Sequence, residues 1–289
     1  KTFDSLMVSA GQQHRPSPAL AVLVIHGIGQ QKSQFATSLI HDLQGQVQRI
    51  GKDPDRIAWR PIWWADVLEP AQQAYFDRAM KAHPLRYRRT RRAVISVLGN
   101  AVAYRQRLPL AEYADREGRA YQLIHQRFQE NIAELYQSQL GGRPVPLVVL
   151  AHSFGSHIFS NFTWDHQHHP DPTLSSFERM NWLTIIVTAG SNIPLFTFAC
   201  REVVPIRFPP PRLPRRLKQK ARWLNYFDYD DVLGWPLKPI NKAYTQTVSE
   251  DRAIRVGGAL TGWNPASHGR YWSESKFVGE VARLLTTFL

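Results

Sequence analysis

A chain of 289 residues with 43% hydrophobic content can bury the core of one α/β domain, and nothing in its composition calls for two. One cysteine, Cys200, excludes a disulfide framework, and no apolar stretch approaches the roughly 18 residues needed to span a bilayer. The N-terminus carries no signal-peptide core, so the expectation is a soluble, unprocessed, cytoplasmic protein, at most peripheral to a membrane. A net charge of +13 would attract phosphate polymers or anionic lipid. Without a helix-turn-helix, zinc-finger or RNA-binding signature, the charge favours an anionic membrane surface over specific nucleic-acid binding.

Residues 21–25 form an apolar run that reads as a strand, and His26-Gly27-Ile28-Gly29 follows as a glycine turn before an amphipathic helix starting near Ser33. A glycine turn can cradle phosphate, but this one lacks the Lys-Ser/Thr of a P-loop and the spacing of a dinucleotide site. Residues 57–64 read as the next strand, with Pro61 costing a ladder hydrogen bond and placing it at a sheet edge or bulge.

Residues 71–107 are helical and strongly basic, with Arg86, Arg88, Arg89, Arg91 and Arg92 ahead of an apolar run at 93–98. Because the connection needs only one helix, the surplus reads as a cap or insertion. Three uses compete: a lid over a pocket, a basic amphipathic helix on an anionic membrane through residues 86–92, or a solvated basic face whose apolar run packs on the core. Residues 112–140 then read as one long amphipathic helix closed by Gly141-Gly142.

The organising stretch is 146–158, Pro-Leu-Val-Val-Leu-Ala-His-Ser-Phe-Gly-Ser-His-Ile. An apolar, Val-rich strand stops at a small residue, with Ser153 two positions on and Gly155 two beyond it, and a helix expected over 154–164. A serine held clear of a strand end needs a strained backbone and small flanking residues, which Ala151 and Gly155 supply. His166, His168 and His169 fall in an expected polar loop, but their spacing matches no standard metal site.

Residues 183–188 form another apolar strand, and the apolar residues in 192–199 suit either an acyl pocket or the core. Cys200 is expected to be buried and inert. The Pro-, Arg- and Lys-rich stretch 201–222 reads as polyproline-like loop. A strand at 223–227 leads into Asp228-Tyr229-Asp230-Asp231-Val232, and a strand at 252–256 precedes a loop, 264–272, that carries His268 just before a C-terminal helix.

The order serine, acid, histidine, each on a loop beyond a strand, resembles the α/β-hydrolase superfamily in its serine esterase and lipase branch. The resemblance covers the chain except its N-terminal tail and the 71–107 insertion. It departs from the usual pattern at Ala151, where glycine is customary. It implies one α/β-hydrolase domain over 1–289: a mostly parallel sheet of about six strands, in the family's order 4-3-5-6-7-8, with helices on both faces. The tail is too short for the family's two leading strands, so a trimmed sheet is expected.

The resemblance also implies Ser153 as nucleophile, His268 as base and Asp231 as acid, with Asp228 as second choice. The Ile28 and Phe154 N–H groups would form the oxyanion hole, and His26, Gly27, Ala151 and Gly155 would support the turns. The implied activity is cleavage of a small-molecule or lipid carboxylic ester through an acyl-enzyme, with no cofactor or metal. Acyl transfer, thioester or amide cleavage would use the same residues, and a non-catalytic membrane- or protein-binding module is the reading from another class. No motif speaks to oligomeric state.

Overall fold

The structure is a computed structural model that describes residues 16–28, 31–105, 119–198, 200–256 and 268–289. Expectations placed on Gly29, Ala199 and residues 1–15, 106–107, 112–118, 257 and 264–267 lie outside these. Six strands form one all-parallel sheet in the order β2-β1-β3-β4-β5-β6. They are β1 Leu20–Ile25, β2 Ile57–Ile62, β3 Leu147–His152, β4 Leu183–Ala189, β5 Arg222–Phe227 and β6 Glu250–Ala253.

The inner strands are apolar at almost every position because both sheet faces are covered, the signature of a parallel sheet. In β1, Ala21, Leu23 and Ile25 enter one layer with α4 (Arg119–Glu134) and α5 (Phe154–His168). Leu20, Val22 and Val24 enter the other with α1 (Thr37–Arg49) and α9 (Ser275–Thr286). α1 buries Leu39, Leu43 and Val47, and α9 buries Phe277, Val281 and Leu285, each set four residues apart so that one stripe faces the sheet. Each such side chain contributes roughly 1.5–3 kcal/mol by burial.

β2 is a border strand with Pro61 opposite Val24, as the missing donor of proline requires. β6 starts two residues earlier than expected and ends at Ala253, and beyond it the Val256 N–H turns to the Asp228 carboxylate instead of the ladder. Arg252 on this border pairs with Glu250 at 2.9 Å and with Glu280 of α9 at 3.0 Å.

The basic insertion is a hairpin of α2 (Glu69–Ala82) and α3 (Arg88–Ala103). Its apolar run does not pack on the core: Val94, Val97 and Leu98 are exposed. The helix after it ends in one π-helical turn, Leu135–Gln139. α5 continues to His168, so His166 and His168 belong to its last turn and not to a loop. Residues 192–199 hold a short helix, α6 (Ile193–Thr197), and the 201–222 stretch includes α7 (Arg215–Lys218) with a small cluster of Leu213, Leu217 and Ala221. Cys200 is exposed, contrary to expectation: the chain leaves α6 outward, with Phe198 84% exposed, and carries the thiol with it. Another short helix, α8 (Lys242–Thr247), precedes β6. Among the described residues no helix is long and apolar enough to cross a membrane.

Candidate active site

In an open parallel sheet the loops at the C-terminal strand ends gather at one edge, where ligands of such sheets bind. β3 ends at His152 and α5 starts at Phe154, so Ser153 alone makes the turn, at φ 53° and ψ −126°. A non-glycine residue there costs on the order of 1–3 kcal/mol and persists only where its surroundings impose it. Here the Ser153 N–H donates to Ala189 O of β4 at 2.9 Å, and its carbonyl accepts the Ser156 N–H at 3.0 Å.

The flanking chain comes close enough to exclude side chains. A Cβ on Gly27 would lie 2.6 Å from Ser153 Cβ, and one on Gly155 would lie 2.5 Å from His26 O. Ala151 sits in β3 between Ile25 and Thr188, and its methyl group fits inside the core. The departure from glycine at that position therefore costs the turn nothing.

His268 Nε2 lies 2.7 Å from Ser153 Oγ, and His268 Nδ1 lies 2.8 Å from Asp231 Oδ2. The network is satisfied by Nδ1–H donating to Asp231 and Nε2 accepting the serine proton. Asp231 is buried, its Oδ2 also accepts the Tyr271 hydroxyl at 2.8 Å, and its Oδ1 accepts the Leu233 N–H at 3.0 Å. Burial alone would raise this carboxyl. The hydrogen bond and charge of His268, with the donors of Tyr271 and Leu233, outweigh it and hold the group below the usual carboxylate value.

Asp228 has a different task. Its Oδ2 accepts the Val256 N–H at 2.5 Å and its Oδ1 the Asp230 N–H at 3.0 Å, while its own N–H donates to Tyr271 Oη at 2.9 Å. Asp228 thus ties the end of β6 to the loop, and Tyr271 bridges the two aspartates. Burial, then the charge and hydrogen bond of Asp231, push the Tyr271 phenol well above its ordinary value, so it stays a donor.

Two more histidines brace the loops. His152 Nε2–H donates to the backbone carbonyl of His268 at 2.7 Å, so the residue before the serine holds the main chain of the histidine the serine touches. Burial, reinforced by His268, lowers His152 to about 3. His26 donates from Nδ1 to Gly27 O at 2.7 Å and accepts the Trp64 N–H on Nε2 at 3.1 Å. Its ring stacks on Trp64 with centroids 4.9 Å apart, and burial lowers it to about 4 against the opposing pull of the Gly27 bond. With both nitrogens engaged, His26 supports the turn and has no free base to offer.

Phe154 is fully buried, and as the first residue of α5 its N–H has no acceptor within the helix. Ile28 is half-buried against the same core. The 192–199 stretch divides: Ile193 is buried, and Phe196 stacks on His157 at 4.2 Å and lines a cleft of about 460 Å³ alongside α5. Tyr121, Asn161, Trp164 and Tyr244 also line this cleft. Of the clustered histidines, His166 packs edge-on against Phe162 and His168 stacks on Trp164. Among the described residues no group of three His, Cys, Asp or Glu is disposed to hold a metal.

Sequence reasoning missed Tyr271 and His152 as parts of this assembly. Tyr271 stands three residues after His268, and His152 next to Ser153, but neither spacing carries a signal of its own. Compared with known proteins, the chain matches no family model and no curated sequence.

Proposed function

We propose that this chain is a serine hydrolase of α/β-hydrolase fold that cleaves carboxylic esters through an acyl-enzyme. The observation that carries the reading is the hydrogen-bonded series Ser153 Oγ, His268 Nε2, His268 Nδ1 and Asp231 Oδ2, joined at 2.7 and 2.8 Å with the serine on a strained strand-to-helix turn. The sheet order β2-β1-β3-β4-β5-β6 supports it, because it repeats the family order with the serine after β3, the acid after β5 and the histidine after β6.

Ser153 Oγ attacks the ester carbonyl carbon while His268 Nε2 takes the hydroxyl proton, and Asp231 holds the imidazole in the tautomer that permits this. The tetrahedral oxyanion would meet the Phe154 and Ile28 N–H groups, and each such donor lowers a barrier of this kind by about 3 kcal/mol. The α5 dipole adds to them. His268 returns the proton to the leaving alcohol, then activates water for deacylation by the same route.

A fluorophosphonate probe tests the reading, since it marks a serine only where a base activates it. The wild-type chain should be labelled and should hydrolyse p-nitrophenyl esters, and folded Ser153→Ala should do neither. A Ser153→Ala protein with native turnover sinks the proposal.

A further inference from the structure

α3 is turned inside out relative to an ordinary helix of a globular protein, whose apolar stripe faces the core. Its polar side meets α2: Asn100 is buried and accepts from Gln72 Nε2 at 2.6 Å, and Arg92 reaches Gln73 Oε1 at 2.6 Å while its guanidinium covers the Phe76 ring. Its apolar side faces outward. Val94 and the residues three, four and eight positions on, Val97, Leu98 and Val102, share one face and are 48%, 42%, 59% and 55% exposed. Beside them an open apolar cleft of about 450 Å³ lies between the two helices, lined by Tyr75, Met80, Leu85, Tyr87 and Val94.

Along this stretch of chain the charge has one sign. Between positions 83 and 105 the chain has six arginines and no carboxylate. Arg86, Arg88 and Arg91, the last lining the cleft, have no ion-pair partner among the described residues. A second copy docking across a two-fold axis would bring these clusters toward each other, so like charges oppose that occupant. An anionic bilayer satisfies both features: valine and leucine enter the acyl boundary, tyrosines sit at headgroup depth, and arginines meet lipid phosphate.

We infer that the outward face of α3, with Arg86, Arg88 and Arg91 beside it, docks the protein on an anionic lipid surface. The hairpin leaves the sheet directly after β2, so it stands at the strand-end edge that carries Ser153. Its far end is fixed to the core, where Tyr104 Oη is 2.7 Å from His125 Nε2 and the Tyr104 ring packs edge-on against Phe154. The inference does not depend on the chemistry assigned to Ser153.

The test is co-sedimentation of the full chain with vesicles of phosphatidylcholine alone and of phosphatidylcholine mixed with phosphatidylglycerol. Wild type and Ser153→Ala should bind the mixed vesicles equally and leave them as salt rises. Arg88→Gln with Arg91→Gln should weaken binding by about fivefold per arginine, while the lysine versions keep it. Val97→Gln with Leu98→Gln should weaken it even at low salt, with an unchanged circular dichroism spectrum. Failure of the wild type to bind anionic vesicles at low salt overturns the inference. So does binding that ignores the glutamine pair at 97 and 98, or a dimer in solution that this pair dissociates.

Discussion

At the Ser153 turn the polar groups that matter are buried and paired: Asp231 takes three hydrogen bonds, Asp228 takes two, and both nitrogens of His26 are engaged. On α3 the reverse holds, with arginines lacking counter-ions and valines facing outward. The difference separates two ways of fixing a surface. Buried polar groups define one geometry because each unmade bond costs about 1–3 kcal/mol, so the chain itself sets where His268 stands. An unpaired basic and apolar face costs the folded chain little and acquires a geometry only from what it meets.

The largest effect expected from breaking this contrast is on turnover. Asp231→Asn leaves a side chain of the same shape but offers the wrong partner to Nδ1–H, and kcat for a soluble ester should fall on the order of 10⁴-fold while the protein stays folded. Asp228→Asn should spare the chemistry. One of its two acceptor positions becomes an NH₂ facing a backbone N–H, so stability should drop by about 1–3 kcal/mol in urea melts while most activity survives. An exchange of these two outcomes would transfer the acid role to Asp228.

Acid should act next, through the buried histidines. Burial, the largest cause in each, lowers His26 to about 4 and both His152 and His157 to about 3, with His125 adding to the effect on His157. The unfolded chain takes up these protons near the ordinary histidine value of about 6.5, where the folded chain still refuses them. Their stability is therefore complete above that value and falls as pH drops, by up to about 1.4 kcal/mol per pH unit for each ring, until the folded values near 4 and 3 are reached. Asp231, held below its ordinary value, adds a loss at still lower pH. Urea midpoints measured from pH 7 to 4 should fall steadily, and a flat profile above pH 5 contradicts neutral burial of these rings.

Tyr271→Phe should have a smaller effect. It strips one donor from Asp231 and leaves the Asp228 N–H without its acceptor, for about 1–3 kcal/mol of stability and a modest loss of kcat. Smallest of all, Leu98→Gln should shift stability by no more than about 0.5 kcal/mol, because that side chain already faces outward. A loss of several kcal/mol would mean that Leu98 packs inside the fold.

Much of the sheet was legible because parallel strands buried on both faces leave unbroken apolar runs, and Pro61 marked its own strand as a border. The serine turn was legible for a steric reason: only small residues fit where Gly27 and Gly155 approach the neighbouring chain. Asp231 could be preferred to Asp228 from its place past the strand end, but the reason for having both is not local. It depends on Tyr271 arriving from beyond β6 to bridge them. The direction of α3 was equally hidden, since a period of 3.6 residues shows that a helix has an apolar face and not what that face meets. Cys200 was misjudged because an apolar neighbourhood in sequence, at 194–198, turned out to be a short helix with an outward end.

The borders of the sheet have a consequence for how the protein behaves when crowded. An open parallel sheet presents two edges onto which a foreign strand could add, the route to domain swapping and fibre growth. On one edge Pro61 removes a donor near the C-terminal end of β2. On the other, β6 carries Glu250, Asp251 and Arg252, with the arginine clamped between Glu250 and Glu280. Among the described residues neither edge offers the uninterrupted, uncharged ladder that strand addition needs, so concentration by itself should not drive the sheet to polymerise.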